Sequence, residues 1–500
     1  MSAELGRIEA LVDASGIAPV IEATLPIGVR PRQLSVGTLF VGMALCQAEG
    51  RPAHLVRVHR ALLGLPDADR RRLGVDVYWR AGPHRLTYRQ VERTFSLVVG
   101  ALSKESPDGA PSRVLQEVVD ALVEASVEDP FKKGSSSLAV DWTDVESFST
   151  RRTKPIGHYA DHEAAWGHRK GGGPGERDEL FFGYYCSLAT MVEDDPGQEV
   201  PELVRRMNVV SCAHDPVPPM VGVLTQMAVG GVGLGDVIAD SGYAHRVPEH
   251  FALPLRAAGA SLVMDLHPQD RGTQGTHAGT ILHHGNCYCP MTPTGLFGQA
   301  PLARGANKEE TLAHDARADE LARYKLGRIS APDHDGYHRV ACPALMGKVR
   351  CPLREGSMIL PLDRPEVATP PEHPPACCTQ QTITVPASVN EKTAQRHDYP
   401  GPAWRRSYAR RSAAERANAR VKDPATTDVA RGWCRVMGLS PMTLWLCAAI
   451  AVRNLAVADA FSARQAQNRR RVAAGRPPRT RRRRRTTLTD LVAASANAPP

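Results

Sequence analysis

The sequence predicts an α/β protein in which a mixed five-stranded sheet flanked by helices follows an all-α N-terminal domain and is interrupted by a β-rich insertion. Three observations lead there. Up to about residue 130, apolar side chains recur at helical spacing, as in LFVGMALC and VLQEVVDALVEA. From about residue 136 the pattern changes to apolar runs rich in β-branched and aromatic residues, SLAVDW, FFGYYCSLATMV and LVRRMNVVSCA, which read as strands. From about 270 to 395 the chain is rich in Pro, Gly, Thr and Cys with short strand-like pieces such as ILHHGNCYC, MILPL and QTITVPASV. A chain of 500 residues, 42% of them hydrophobic, can build two or more domains with sizeable cores.

The N-terminal region, residues 1–130, adds helical patterns in AHLVRVHRALLGL and RTFSLVVGAL. Thr87 is placed to cap a helix carrying Arg89, Gln90 and Arg93 on one side and Val91, Phe95 and Leu97 for packing. Two readings stay open there, a helix-turn-helix that reads DNA and a helical bundle that only supports the rest. The core spans 131–269 and 396–465. Its first part runs strand, strand, strand, a helix from Met220 to about Met227, a strand ending at Asp240, a helix from Phe251 to Ala258, and the strand SLVMDL. The stretch Trp166 to Glu179, glycine-rich, is expected to be a mobile excursion between the first two strands. Gly230, Gly231, Gly233 and Gly235 form no nucleotide fingerprint, because no strand leads into them. The insertion occupies 270–395. The run LWLCAAIAV, Leu444 to Val452, is too short to span a bilayer and reads as a buried helix against the sheet.

Residues 466–500 read as a disordered Arg-rich tail. The net charge of +9 belongs to it: Arg469, Arg470, Arg471, Arg476, Arg479 and Arg481 to Arg485 supply ten positive charges, and without them the chain is about neutral. Such a tail binds phosphate backbones without reading bases. The N-terminal residues lack a basic segment followed by an apolar one, so no signal peptide is indicated. Eleven cysteines, an odd number, point to reduced thiols and a cytoplasmic protein. Six of them, Cys287, Cys289, Cys342, Cys351, Cys377 and Cys378, gather in the insertion near His277, His283, His284 and His338. Four of these would suffice for structural zinc, but the C-x2-C spacing that marks zinc sites is missing, and reduced buried thiols are the default expectation.

Chemistry concentrates in YARRSAAERANARVK. Tyr408, Arg411, Glu415 and Lys422 fall on one broad stripe if the segment is helical, which sets a carboxylate among cations on one face. Upstream, SSSLAVDWT is an apolar strand that stops at Asp141, with Asp144 the weaker candidate, and GDVIADSGY runs through Val237 to Ala239 into Asp240. Asp236 precedes that strand and is the less suited of the two. The Tyr-x2-Arg-x3-Glu-x6-Lys spacing resembles the Y-R-E-K signature of bacterial insertion-sequence transposases of the DDE type. Asp-x-Thr at Asp141 and Asp-x-Gly-Tyr at Asp240 resemble the two aspartate elements of that family, as FFGY and the run at 164 to 168 also do.

The resemblance covers roughly residues 136 to 460. It implies a ribonuclease H-like catalytic core in which Asp141, Asp240 and Glu415 are the catalytic carboxylates and hold two magnesium ions about 3.5 to 4 Å apart, manganese being a substitute. Arg411 and Lys422 would grip DNA phosphates and Tyr408 would hydrogen-bond one. Trp404 is read as core rather than as a base-stacking residue. The implied partners are double-stranded DNA at transposon ends and targets, bound by a homodimer pairing two ends, with no membrane and with location at the nucleoid. The alternatives are a ribonuclease H-like nuclease and a DNA-binding protein descended from a transposase.

Overall fold

The computed structural model describes residues 3–26, 32–79, 82–104, 109–149, 159–169, 178–194, 198–303, 305–333, 336–423 and 427–479. The N-terminal region begins with α1 (Ala3–Ser15), α2 (Ile17–Thr24), α3 (Val36–Ala48), α4 (Leu55–Leu63) and α5 (Asp67–Arg72). A hairpin of β1 (Asp76–Trp79) and β2 (Gly82–Arg85) follows, then α6 (Tyr88–Leu102), α7 (Arg113–Ala125) and α8 (Asp129–Lys132). The region is therefore helical with one β-hairpin, where the sequence pattern predicts an all-α domain; the short run Asp-Val-Tyr-Trp is too brief to register as a strand beside long helical patterns. Thr87 caps α6 in a reciprocal box with Gln90.

The central sheet comprises β3 (Ser137–Glu146), β4 (Ala165–Arg169), β5 (Glu179–Val192), β6 (Val204–Ser211), β7 (Asp236–Ala239) and β8 (Ser261–Met264). β5 pairs antiparallel with β3 on one edge. Its other edge is shared by β4, along 179–183, and β6, along 184–190. β7 runs parallel to β3, and β8 parallel to β7. The fold is mixed α/β with a mixed sheet, as expected, but has six strands rather than five. The extra one is β4, whose Trp166–Arg169 lie in the stretch expected to be a loop; its glycine-rich neighbours at 170–177 fall outside the described residues.

Helices cover both faces. Leu138, Val140 and Trp142 of β3 pack with α9 (Val217–Val229), α10 (Ser241–Ala244) and α11 (Ala252–Ala257). On the opposite face Ala139 meets Trp404, Ala413 and Ala414 from α14 (Pro402–Tyr408) and α15 (Ser412–Val421), as alternation along a strand requires. α14 and α15 do not form one helix. A 3-10 turn at Ala409–Arg411 joins them, so the Tyr408-to-Lys422 stripe is interrupted. α16 (Leu439–Ala473) then buries Leu439 to Ala451 against α3, α7 and β6. It passes the length and composition test for a membrane span, but much of its apolar stretch is already buried within the protein.

Two corrections follow from α16. Helix continues to Ala473, so the tail does not begin at 466; its Ala, Gln and Arg residues are good helix formers and extend a helix already nucleated in the core. Residues 480–500, including Arg481 to Arg485, lie outside the described residues. The N-terminal helices, α16, β5 and β6 also share one continuous hydrophobic core. Glu124 of α7 ion-pairs with Arg205 and Arg206 of β6, both buried, which fastens that helix to the sheet.

The insertion holds two small three-stranded sheets, β9 (Thr273–His277), β10 (Thr280–His283) and β11 (Asn286–Tyr288), then β12 (Gly327–Arg328), β13 (His338–Ala341) and β14 (Ile383–Val385). Between them runs α12 (Lys308–Arg323), opened by an Asn307–Glu310 capping box, and MILPL forms turns rather than a strand. A one-turn helix, α13 (Ala376–Thr379), precedes β14.

Candidate active site

The fold brings three acids together from three elements. β7 pairs with β3 only at Leu138 and Ala139, so Asp141 stands on β3 just past the end of that pairing. Asp240 follows the last residue of β7 and caps α10, its Oδ1 accepting the backbone N–H groups of Gly242 (2.9 Å) and Tyr243 (3.3 Å). α15 crosses β3 and β5 with Glu415 in its first turn.

Arg411 sits among the three. Its Nη2 lies 3.3 Å from Asp141 Oδ2 and 3.2 Å from Asp240 Oδ2, while Nη1 lies 2.7 Å from Glu415 Oε1. Burial pushes the Asp141 carboxyl up to about 6, against the pull of Arg411 and with the charges of Asp240 and Glu415 adding to the rise. The same burial disfavours the Arg411 cation, but the surrounding carboxylates outweigh it and hold its pKa above the ordinary value. Asp141 also accepts from its neighbour Trp142 N–H (3.0 Å) and from Asn418 Nδ2 (3.1 Å).

The 3-10 turn explains how two adjacent arginines serve opposite ends of β7. Arg410 points inward, ion-pairs with Asp236 and donates to the Ser407 and Glu193 carbonyls. Asp236, 1% exposed and also paired with Arg396, anchors the start of the strand. Arg411 points the other way, to the acid after the strand's end. Arg410, Asp236 and Asn418 carry no sequence pattern of their own that marks them as parts of the site.

The remaining expected residues behave differently from one another. Lys422 does not face the three acids: its amine is ion-paired with Asp144, which also pairs with Arg169 of β4. The two cations hold the Asp144 carboxyl below its usual range, although burial opposes them. The interrupted helix brings Lys422 to the C-terminal end of α15, beside the far end of β3, and a phosphate-gripping position is not what its side chain occupies. Tyr408 stacks on Trp404, with centroids 4.8 Å apart and planes at 13°. Burial raises its hydroxyl pKa, so it remains a hydrogen-bond donor. Trp404 is buried, donates to the Met264 carbonyl (2.9 Å), and belongs to the core as expected.

Carboxylate oxygens from three separate elements, the hard donors that magnesium takes, surround the Arg411 guanidinium, and Asn418 Oδ1, beside Asp141, is buried with no hydrogen-bond partner. With that guanidinium among them, the three acids do not bring their ligand atoms within 4.8 Å of one another. A second group lies nearby: His245, His267 and Asp270 place ligand atoms all within 4.8 Å of one another, with the Lys392 amine already 2.8 Å from Asp270. No protein-family model, curated protein or solved structure matches the chain.

Proposed function

We propose that the chain is a DDE-type transposase with a ribonuclease H-like core, cutting DNA at the ends of an insertion sequence and joining the freed 3′-hydroxyls to target DNA. The observation that carries the reading is the meeting of Asp141, Asp240 and Glu415, three acids far apart in sequence, on one guanidinium. The order of three antiparallel strands followed by two parallel ones, with one acid within the first and one after the fourth of these, supports the fold assignment.

Asp141, Asp240 and Glu415 would hold magnesium, which supplies a more acidic bound water and neutralises phosphate charge. The chain's own residues prepare that chemistry. Asp240, fixed by two backbone N–H groups, presents its other oxygen to the site. Arg411 offers a planar fork matched to two phosphate oxygens. In the first step a water oxygen attacks phosphorus and the bond to the 3′ oxygen breaks, leaving a 3′-hydroxyl and a 5′-phosphate. In the second that hydroxyl oxygen attacks a target phosphorus, the target's bond from phosphorus to its 3′ oxygen breaks, and a target 3′-hydroxyl leaves while the attacking proton is lost to solvent. Paired ends imply two copies of the chain, and the arginines after residue 468 add backbone attraction without sequence preference.

The test is magnesium-dependent cleavage and joining of a labelled end fragment by the purified protein and by Asp141→Asn, Asp240→Asn and Glu415→Gln. Each variant is expected to keep DNA binding and lose cleavage by at least about a hundredfold. Cleavage at the parental rate in any of them removes that residue from the site. Cutting without joining in the parent protein would leave a nuclease instead.

A further inference from the structure

Away from the three acids, four cysteines of the insertion line one small enclosed cavity of about 10 Å³: Cys289, Cys342, Cys351 and Cys378. They come from four segments. Cys289 follows β11, Cys342 follows β13, Cys351 lies in the turn before Glu355–Ser357, and Cys378 lies in α13. The first three open the same local motif, Cys-Pro-X, as Cys289-Pro290-Met291, Cys342-Pro343-Ala344 and Cys351-Pro352-Leu353. The Arg354 guanidinium lines the same cavity, and a cation there favours thiolate over thiol.

We propose that Cys289, Cys342, Cys351 and Cys378 form a structural zinc site that staples the β9–β11 sheet to the β12–β14 sheet. Four sulfurs suit a tetrahedral thiophilic ion, and a cavity this small admits a single ion rather than an iron–sulfur cluster. The insertion needs such a staple, since its strands are two to five residues long and its apolar residues split between two small clusters. Zinc binds cysteines in their deprotonated form, releasing protons as it does so. The four sulfurs stand farther apart than the roughly 3.8 Å spacing of a zinc tetrahedron, since among the described residues it is His245, His267 and Asp270 that gather within 4.8 Å. Binding therefore pulls the three Cys-Pro turns inward. The site is independent of the three acids, which it neither touches nor needs.

The full-length protein, purified under reducing conditions without chelator, is expected to carry one zinc per chain by elemental analysis. Replacing the metal with cobalt should give the intense sulfur-to-cobalt charge-transfer bands and visible bands of a four-thiolate tetrahedron. Cys351→Ser and Cys378→Ser should lose the metal, and Cys212→Ser, whose sulfur lies beyond the end of β6, should keep it. Should the serine variants fail to fold, cobalt titration of the parent chain still decides. Folded parent protein with neither zinc nor thiolate bands on cobalt addition overturns the site. So does zinc that survives Cys351→Ser but leaves with His267→Ala.

Discussion

Arg411 and Asp141 are in tension at the residue level. Asp141 is charged only at a cost, because the carboxyl is largely buried and shares its surroundings with two other acids. Its folded value of about 6 stands above that of a free aspartate, so between roughly pH 4 and 6 the folded protein holds more protons than the unfolded chain. Stability contributed through this group therefore falls as pH rises across that window and is level above it. Asp141→Asn is expected to match the parent near pH 4 and to exceed it above pH 6 by at most about 3 kcal/mol, read from denaturant unfolding in chelator at each pH. A difference that is the same at both pH values would refute the burial argument. Arg411→Ala leaves three carboxylates facing one another with no cation among them. Its melting temperature should drop, and added magnesium should raise it by more than it raises the parent's, by thermal shift with and without the ion. Equal shifts would mean that Arg411 does not occupy the place a metal takes.

Among elements, the turn after β7 shows how tightly the site is built. A Cβ on Gly242 would come 2.5 Å from the Trp142 ring, which lies beside Tyr243 with centroids 4.8 Å apart. Trp142 adjoins Asp141 and Gly242 follows Asp240 by two, so one contact sets the separation of both acids. Gly242→Ala should destabilise by about 1–3 kcal/mol through overpacking and should depress cleavage more than DNA binding. Full cleavage activity in a folded Gly242→Ala protein would show that the spacing tolerates adjustment. Much of this is legible in the sequence, because an apolar strand that stops at an acid announces both the strand and the acid's position at its end. Asp240 is legible that way and Glu415 by its spacing from Arg411, whereas the strand expected to stop at Asp141 runs on to Glu146, because it pairs with β5 along its whole length, and Asp141 stands within it. The 3-10 turn is not legible, since Ala-Arg-Arg fits a helix, and only Arg410's reach to buried Asp236 tightens it. Nor is the Lys422–Asp144 pair, because spacing along a helix does not say which strand its end overlies. β4 is hidden by its glycine-rich neighbours, and the four insertion cysteines by a spacing that only the folded turns bring together.

At the scale of the whole molecule, the N-terminal helices share their largest hydrophobic cluster with α16 and the sheet, while the other face of the sheet and the insertion have clusters of their own. α3, α7, α16, β5 and β6 bury a single continuous apolar interior, so the N-terminal helices cannot be lifted away without baring the sheet. The basic C-terminal segment is a different matter. Removing residues 480–500 spares α16 and the core, and is expected to weaken binding to all DNA alike and to lower the salt dependence by up to about five in slope, one for each of Arg481 to Arg485. Titrations at several salt concentrations on end and random sequences check this. Loss of end preference, with the salt slope unchanged, would assign recognition rather than attraction to those residues.

α16 joins these two behaviours. Its buried residues run from Leu439 to Ala458, Arg464 and Gln465 still reach Glu199, and only its last turns carry Arg469 and Arg470 into solvent, in a helix about 52 Å long. That makes it a rod fastened along most of its length, with a short basic end left projecting. In the proposed DNA complex a duplex held by that end would stand off from the body, and a pull on it would reach the packing between β6 and the N-terminal helices through the rigid helix.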